Sequence, residues 1–186
     1  MEDIEIVELY LNRDEKAIFE TQNKYGNYCF SIAYNILSDR EDSKECVNDT
    51  YLHTWDAIPP HKPTILSTFI GKITRRLAID KYRKNTSIKR GGSNYDLSIE
   101  ELNECIASNI DTNKQIEVEE LTNLINNFLA SLKVNERRIF VCRYYYFDSI
   151  RDIANRFSYS ESKVKMSLLR TREKLKDYLL KEGYEL

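Results

Sequence analysis

The chain has few of the residues on which several classes of protein depend. Its 186 residues include only five glycines, three prolines, two histidines and four cysteines. No glycine-rich phosphate-binding loop is present, and two histidines are too few for most histidine-based metal or catalytic centres. No apolar run approaches the roughly 18 residues that span a bilayer, and the acidic N-terminus lacks the order of a signal peptide. The sequence therefore predicts a cytoplasmic protein with no catalytic residue, no cofactor, no small-molecule substrate and no membrane insertion.

The four cysteines show neither a metal-binding nor a redox-pair spacing. Cys29, Cys46, Cys105 and Cys142 are separated by 17, 59 and 37 positions. Zinc sites and redox pairs place their cysteines only a few residues apart. We therefore expect reduced thiols and no metal site.

Charge is strongly segregated along the chain, although the net charge is only −2. Residues 1–65 carry 13 acidic and 6 basic side chains, and residues 94–132 carry 8 acidic and 1 basic. In contrast, residues 66–93 carry 8 basic and 1 acidic, and residues 133–181 carry 13 basic and 6 acidic. Two basic blocks separated by an acidic one indicate two surfaces for a polyanion such as nucleic acid. The simpler alternative is a solvated charged face.

Apolar residues recur at helical spacing almost throughout, which predicts an all-α fold. Helices are expected at about residues 42–56 and 66–84, with a rigid loop between them that holds all three prolines. The polar, acidic stretch 86–116 is expected to be an interdomain linker, with room for a little helix. The predicted architecture is two small helical domains, residues 1–85 and 117–186, joined by this linker.

The C-terminal part has the order of a helix-turn-helix motif. Ser149 is placed to cap a short amphipathic helix, residues 157–160 to form a tight turn, and Ser160 to cap a long basic helix. This second helix suits a major groove, where its first half would meet base edges and its basic flanks would hold phosphates. The expected base contacts are Ser162, Lys163, Met166 and Arg170, and the expected phosphate contacts are Lys165, Arg172 and Lys174. The alternative is a basic surface helix in an unrelated bundle.

The motif and the residues before it resemble region 4 of bacterial RNA polymerase sigma factors. The resemblance begins with LKVNERRIFVCRY at residues 132–144 and is strongest to the compact extracytoplasmic-function (ECF) group. Lys133 replaces the usual proline of the family, and Ser158 replaces the usual glycine. The resemblance implies that this unit reads the minus-thirty-five promoter element.

Residues 45–55, ECVNDTYLHTW, resemble the region 2 helix with which these sigma factors grip core RNA polymerase. An acidic face that also carries Leu52 suits a basic, partly apolar partner helix, and the alternative is that Leu52 and Trp55 belong to the core. We expect Trp55 to lie mostly in the core. The core-polymerase contacts implied by the resemblance are Asn48, Asp49, Leu52 and His53.

Residues 69–84, FIGKITRRLAIDKYRK, resemble the family's helix for melting and minus-ten recognition. Phe69 stands where tryptophan is common, and Arg76 stands where asparagine is common. Opening a duplex requires a pocket for an unstacked base and a basic groove for the freed strand, and the proline loop 57–66 is expected to form the pocket wall. The DNA contacts implied here are Arg75, Arg76, Arg83 and Lys84.

Both resemblances in the right order imply an ECF-type sigma factor that is not itself a catalyst. Its implied partners are core RNA polymerase, promoter DNA and an anti-sigma factor, and its acidic linker is expected to thread a basic channel of the polymerase. Three alternatives stay open at this point. They are a recombinase-like enzyme, a stand-alone helix-turn-helix DNA-binding regulator, and a polymerase-binding protein of the same fold that has lost promoter recognition.

Overall fold

A computed structural model describes residues 1–85, 93–103 and 115–183 of the chain. In these three stretches the secondary structure is helical, with no strand, which confirms the all-α prediction. The chain separates into two compact units, Met1–Tyr95 and Asp96–Leu186. The division lies inside the stretch expected to be a linker, so the functional bounds 1–85, 86–116 and 117–186 stay predictions.

The N-terminal unit is built from four helices in its described part. They are α1 (Asp3–Leu11), α2 (Lys16–Leu37), α3 (Arg40–Ala57) and α4 (Leu66–Asn85). Asp39 caps α3, because its side chain accepts a hydrogen bond from the backbone N–H of Asp42 at 2.8 Å. The fully buried large side chains of this unit are Ile6, Tyr10, Ile36, Ile58, Leu66 and Ile70.

Buried threonines and a surface ion-pair cluster hold α3 against α4. The Thr50 hydroxyl donates to the Cys46 carbonyl oxygen at 2.8 Å and lies 3.2 Å from Thr74 Oγ1. At the surface, Lys81 Nζ lies 3.0 Å from a carboxylate oxygen of Asp42 and 2.7 Å from one of Glu45. Because threonine is small and its hydroxyl is satisfied within its own helix, the two helices pack closely with no unpaired hydroxyl between them.

The C-terminal unit carries the remaining described helices around a second core. They are α5 (Asn94–Asn103), which begins at the unit boundary, α6 (Gln115–Ser131), α7 (Val134–Tyr144), α8 (Ile150–Phe157) and α9 (Glu161–Lys181). The buried core side chains include Phe128, Phe140, Ile153, Val164, Leu168, Leu175 and Leu179.

The helix-turn-helix motif forms as its sequence predicts. Ser149 Oγ accepts a hydrogen bond from the N–H of Asp152 at 3.1 Å, which caps α8. Ser160 Oγ accepts one from the N–H of Lys163 at 3.2 Å, which caps α9. Between the two helices Ser158 adopts the left-handed conformation, with φ 53° and ψ 43°. This conformation explains the family preference for glycine at that position, since glycine adopts it without steric conflict.

Residues 96–103 of the predicted linker are folded onto the C-terminal unit. The hydroxyl of Ser98 on α5 is fully buried and donates to the Arg143 carbonyl oxygen at 3.2 Å. Leu102 packs against the core of the same unit. Residues 86–92 and 104–114 of the predicted linker lie outside the described residues.

Candidate nucleic-acid and polymerase interfaces

The outer face of α3 carries the four side chains expected to meet core polymerase. Asn48, Asp49, Leu52 and His53 are all exposed, and Leu52 retains 59% of its accessible surface. The opposite face of α3 is buried, which leaves Leu52 as an apolar side chain with no place in the core. The alternative that Leu52 is a core residue is therefore wrong.

Trp55, which follows on the same helix, is half-buried. Its ring packs edge-on against the ring of buried Tyr10, with 6.1 Å between centroids. The Arg13 guanidinium carbon lies 5.2 Å from the centroid of the Trp55 ring, so the guanidinium covers the indole and leaves little of it for a partner protein.

An open groove of about 890 Å³ lies between α3, the proline loop and α4. The groove brings His53 of α3 together with Arg75, Arg76 and Arg83 of α4. The sequence assigns these residues to two separate contacts, one with polymerase and one with DNA, but the structure places them on a shared surface. Its other lining residues are Asp56, Ala57, His61, Phe69, Lys72, Ile73, Ile79 and Asp80.

The proline loop supplies one wall of this groove, as expected. His61 projects from the loop toward Phe69 on α4, with 6.1 Å between their ring centroids, and both peptide bonds that precede Pro59 and Pro60 are cis. Together with Lys72, these rings give the groove two aromatic surfaces and a further cation. The sequence pattern assigns no site role to His61, because its only distinguishing feature there is its position in the proline loop.

Lys84 does not lie in this groove. It lines a separate depression of about 380 Å³ between α3 and α4, where its neighbours include Glu45, Asp49 and Asp80. Arg83 and Lys84 differ by roughly 100° in direction around the helix, and of the two only Arg83 lines the groove. Of the four predicted DNA contacts, Arg75, Arg76 and Arg83 therefore line the groove and Lys84 does not, and the contact of each with DNA stays a prediction.

The outward face of α9 presents most of the residues expected to contact DNA. Ser162, Lys163, Lys165, Met166 and Arg170 are exposed. Lys163 Nζ lies 3.5 Å above the centre of the Tyr159 ring, an attraction that holds this ammonium group near the turn of the motif. Farther along the helix, Lys174 Nζ is paired with Glu136 at 3.1 Å.

Arg172 departs from the prediction of an exposed phosphate contact. It is only 9% exposed, and its Nη1 donates to the Tyr144 hydroxyl at 2.8 Å. The same guanidinium nitrogen lies 3.5 Å from a carboxylate oxygen of Glu101. Arg172 therefore belongs to the interior of the C-terminal unit, and the prediction that it contacts DNA is wrong.

Glu101 is the centre of this interior network. Arg143, 2% exposed, donates to its two carboxylate oxygens at 2.7 and 3.2 Å, and the Tyr144 hydroxyl donates at 2.9 Å. Burial opposes ionisation of Glu101, but the hydrogen bond and charge of Arg143 outweigh it, so the pKa of the carboxyl is lowered. One carboxylate from α5 thus neutralises part of the charge of two buried guanidinium groups.

A third cationic surface lies on the C-terminal unit and was missed from the sequence. Arg137 and Arg138 of α7 and Arg156 of α8 line an open groove of about 610 Å³. Its remaining lining residues are Val141, Cys142, Tyr146 and Phe157. The adjacent arginines of α7 were visible in the sequence, but no pattern there showed that Arg156 would join them.

The cysteines that the structure describes have the properties of unreactive thiols. Cys29, Cys46 and Cys142 are buried free thiols, and burial raises the pKa of Cys29 to about 11 and that of Cys46 to about 12. Cys105 lies outside the described residues.

Across residues 1–85, 93–103 and 115–183, no cluster of three or more histidine, cysteine, aspartate or glutamate side chains is arranged to hold a metal ion. Among the described helices, none combines the length and apolarity needed to cross a membrane.

The result of a comparison with known protein families agrees with the acidic helix face, the basic groove and the helix-turn-helix motif described above. The model of the ECF sigma factor family matches residues 38–181, which is most of the chain, and the chain belongs to this family. A sigma factor acts in transcription initiation, as a regulator of transcription rather than as a catalyst. A search among curated proteins found no match.

Proposed function

We propose that this sigma factor binds core RNA polymerase through the outer face of α3 and promoter DNA through two surfaces. The DNA surfaces are the α3–α4 groove and the outward face of α9. The observation that carries the proposal is that one chain presents a concave basic groove with aromatic walls and a convex basic helix in a helix-turn-helix motif. A concave site of that kind suits unstacked bases, whereas a convex helix suits a duplex groove.

The groove has the chemistry that melting of the minus-ten element requires. Arg75, Arg76 and Arg83 supply positive charge for the phosphates of a separated strand, and the rings of His61 and Phe69 supply stacking surfaces. Base stacking on an aromatic ring contributes about 1–3 kcal/mol per base and tolerates any sequence. On α9, by contrast, the exposed residues that would reach base edges of the minus-thirty-five element are Ser162, Lys163, Met166 and Arg170.

The direct test combines the purified chain with core RNA polymerase and genomic DNA of its source, followed by sequencing of the transcripts. The proposal expects discrete start sites preceded by two spaced motifs. Tight binding to core polymerase without start sites would leave a polymerase-binding protein that lacks promoter function. Absence of core binding would contradict the proposal and return the stand-alone DNA-binding regulator as the better interpretation.

Single substitutions test which surface binds core polymerase and which binds DNA. Asp49→Ala is expected to weaken core binding without a change in DNA preference, and Glu8→Ala, an exposed acid on α1, serves as its matched control. Arg170→Ala and Lys163→Ala are expected to weaken promoter-specific binding, whereas Arg76→Ala is expected to lower the salt dependence of binding by about one unit. Unchanged core affinity in Asp49→Ala would show that the docking face lies elsewhere. An anti-sigma partner also stays a prediction, and no described surface identifies where it would bind.

A further inference from the structure

Two large apolar side chains lie exposed in the middle of the basic face of α9. Met166 retains 46% of its accessible surface and Leu169 retains 40%. Neither contributes to the core, whose α9 residues are Val164, Leu168, Leu175 and Leu179. An adjacent pair of exposed apolar residues on a helix proposed to enter DNA is suited to an apolar feature of the partner.

Helix geometry places Met166 at the centre of the outward face. Ser162 and Arg170 lie one turn before and one turn after it, each displaced by roughly 40° around the axis. Leu169, three residues along, lies beside Met166 at a displacement of roughly 60°. These positions point away from buried Val164 and Leu168 and therefore toward whatever α9 contacts.

Charge around the pair identifies the kind of partner. Lys163, Lys165 and Arg170 surround Met166, and all three are exposed. A partner that meets this surface must offer negative charge at the edges and a small apolar feature at the centre. The major groove of DNA has this combination, because phosphates line its edges and the thymine 5-methyl group is its main apolar feature. Glu173, two turns beyond Met166 on the same face, carries negative charge and limits the contact to the first half of α9.

We propose that Met166 and Leu169 read thymine methyl groups in the upstream promoter element. The inference rests on the proposed function, in which α9 enters the major groove. Three residues advance about 4.5 Å along a helix axis, comparable to one base-pair step of about 3.4 Å. The two side chains therefore contact thymines in neighbouring base pairs, on the same strand or on opposite strands.

The test removes only the methyl groups. The promoter recovered from the transcription assay is rebuilt with deoxyuridine in place of each thymine of the upstream element, one position at a time. Binding is then measured with the full chain in complex with core polymerase. Two neighbouring positions should each lose affinity by roughly 3- to 5-fold, the amount expected for one buried methyl group. Equal affinity for thymine and deoxyuridine at every position would overturn the inference.

Protein variants assign each methyl group to its side chain. Met166→Ala should abolish the sensitivity to deoxyuridine at one position, and Leu169→Ala should abolish it at the other, as in a double-mutant cycle. Leu180→Ala is the matched control, because Leu180 is 50% exposed on the same helix but lies beyond Glu173. If Met166→Ala and Leu169→Ala instead weakened core binding and left promoter preference intact, the pair would be a protein-docking surface and the inference wrong. Failure of the proposed function is distinguishable, since no upstream element would then be recovered.

Discussion

The two units differ in whether charged side chains take part in their buried polar networks. In the N-terminal unit, Thr50, Thr54 and Thr74 hydrogen-bond to carbonyl oxygens four residues earlier in their own helices. In the C-terminal unit, Arg143 and Arg172 share a carboxylate that comes from α5. The first arrangement is local and neutral, whereas the second joins distant parts of the chain and depends on charge. The N-terminal interior should therefore tolerate changes of pH that the C-terminal interior does not.

The largest expected effect follows from removal of the shared carboxylate. Glu101→Gln preserves shape but removes the negative charge that two buried guanidinium groups share, so the C-terminal unit should lose about 3 kcal/mol of stability. Trp55 is the sole tryptophan and lies in the N-terminal unit, so its fluorescence follows that unit while circular dichroism follows both. Glu101→Gln should separate the two transitions, and exposed Glu100→Gln is the control. If the two unfolding transitions of Glu101→Gln stayed coincident and unshifted, the network around Glu101 would not stabilise the C-terminal unit.

The second largest expected effect on stability comes from close packing in the N-terminal unit. A Cβ at Gly71 would contact the Tyr28 hydroxyl oxygen and lie 3.1 Å from Tyr28 Cζ, whereas at Gly26 it would lie 3.2 Å from the Tyr51 hydroxyl oxygen and 3.9 Å from Gln22 Cγ. Both substitutions gain about 1 kcal/mol of helix propensity. Overpacking of about 2 kcal/mol should outweigh that gain at Gly71, and Gly71→Ala should therefore unfold at lower denaturant than Gly26→Ala. Tryptophan fluorescence during denaturation measures the difference, and the reverse order would refute the packing argument.

Acidification should destabilise the C-terminal unit more than the N-terminal unit. The pKa of Glu101 is lowered in the folded state, so its contribution is complete above the ordinary carboxyl pKa of about 4.3 and is lost as pH falls through the lowered value. In the N-terminal unit the pKa of Asp3 is also lowered, since the hydrogen bonds of Lys24 and Tyr25 outweigh burial, but this pair is more exposed. Denaturation at pH 7 and pH 3 should show the difference. The Glu101→Gln variant should lose most of the pH dependence of the C-terminal unit.

The smallest effect concerns two serines with the same backbone conformation, one in each unit. Ser38 ends α2 with φ 54°, and Ser158 ends α8 with φ 53°. Glycine adopts this region without the steric penalty of a side chain, so each serine-to-glycine change should stabilise its own unit by about 0.5–1 kcal/mol. Thermal unfolding measures both. A destabilised Ser158→Gly would show that the serine has a role of its own in the turn.

Local patterns in the sequence predicted the helices and the motif. Apolar spacing marked the amphipathic helices, and Ser149 and Ser160 marked the start of α8 and α9, because a cap acts on N–H groups two or three residues away. Asn48, Asp49 and His53 are exposed as expected of surface residues on α3, whereas the sequence left Leu52 open between the core and the surface. The family resemblance depended on the same short segments and is confirmed over residues 38–181.

Contacts between distant segments were decided by the tertiary structure. Arg170 and Arg172 lie roughly 200° apart around the axis of α9, so Arg170 is exposed whereas Arg172 falls on the buried side with Leu168 and Leu175. What one helix does not reveal is that Tyr144 and Glu101 come from other helices to receive Arg172. The meeting of His53 with Arg75, Arg76 and Arg83 likewise depends on how α3 packs against α4. Such pairings depend on burial and charge in three dimensions, and no periodicity within one helix encodes them.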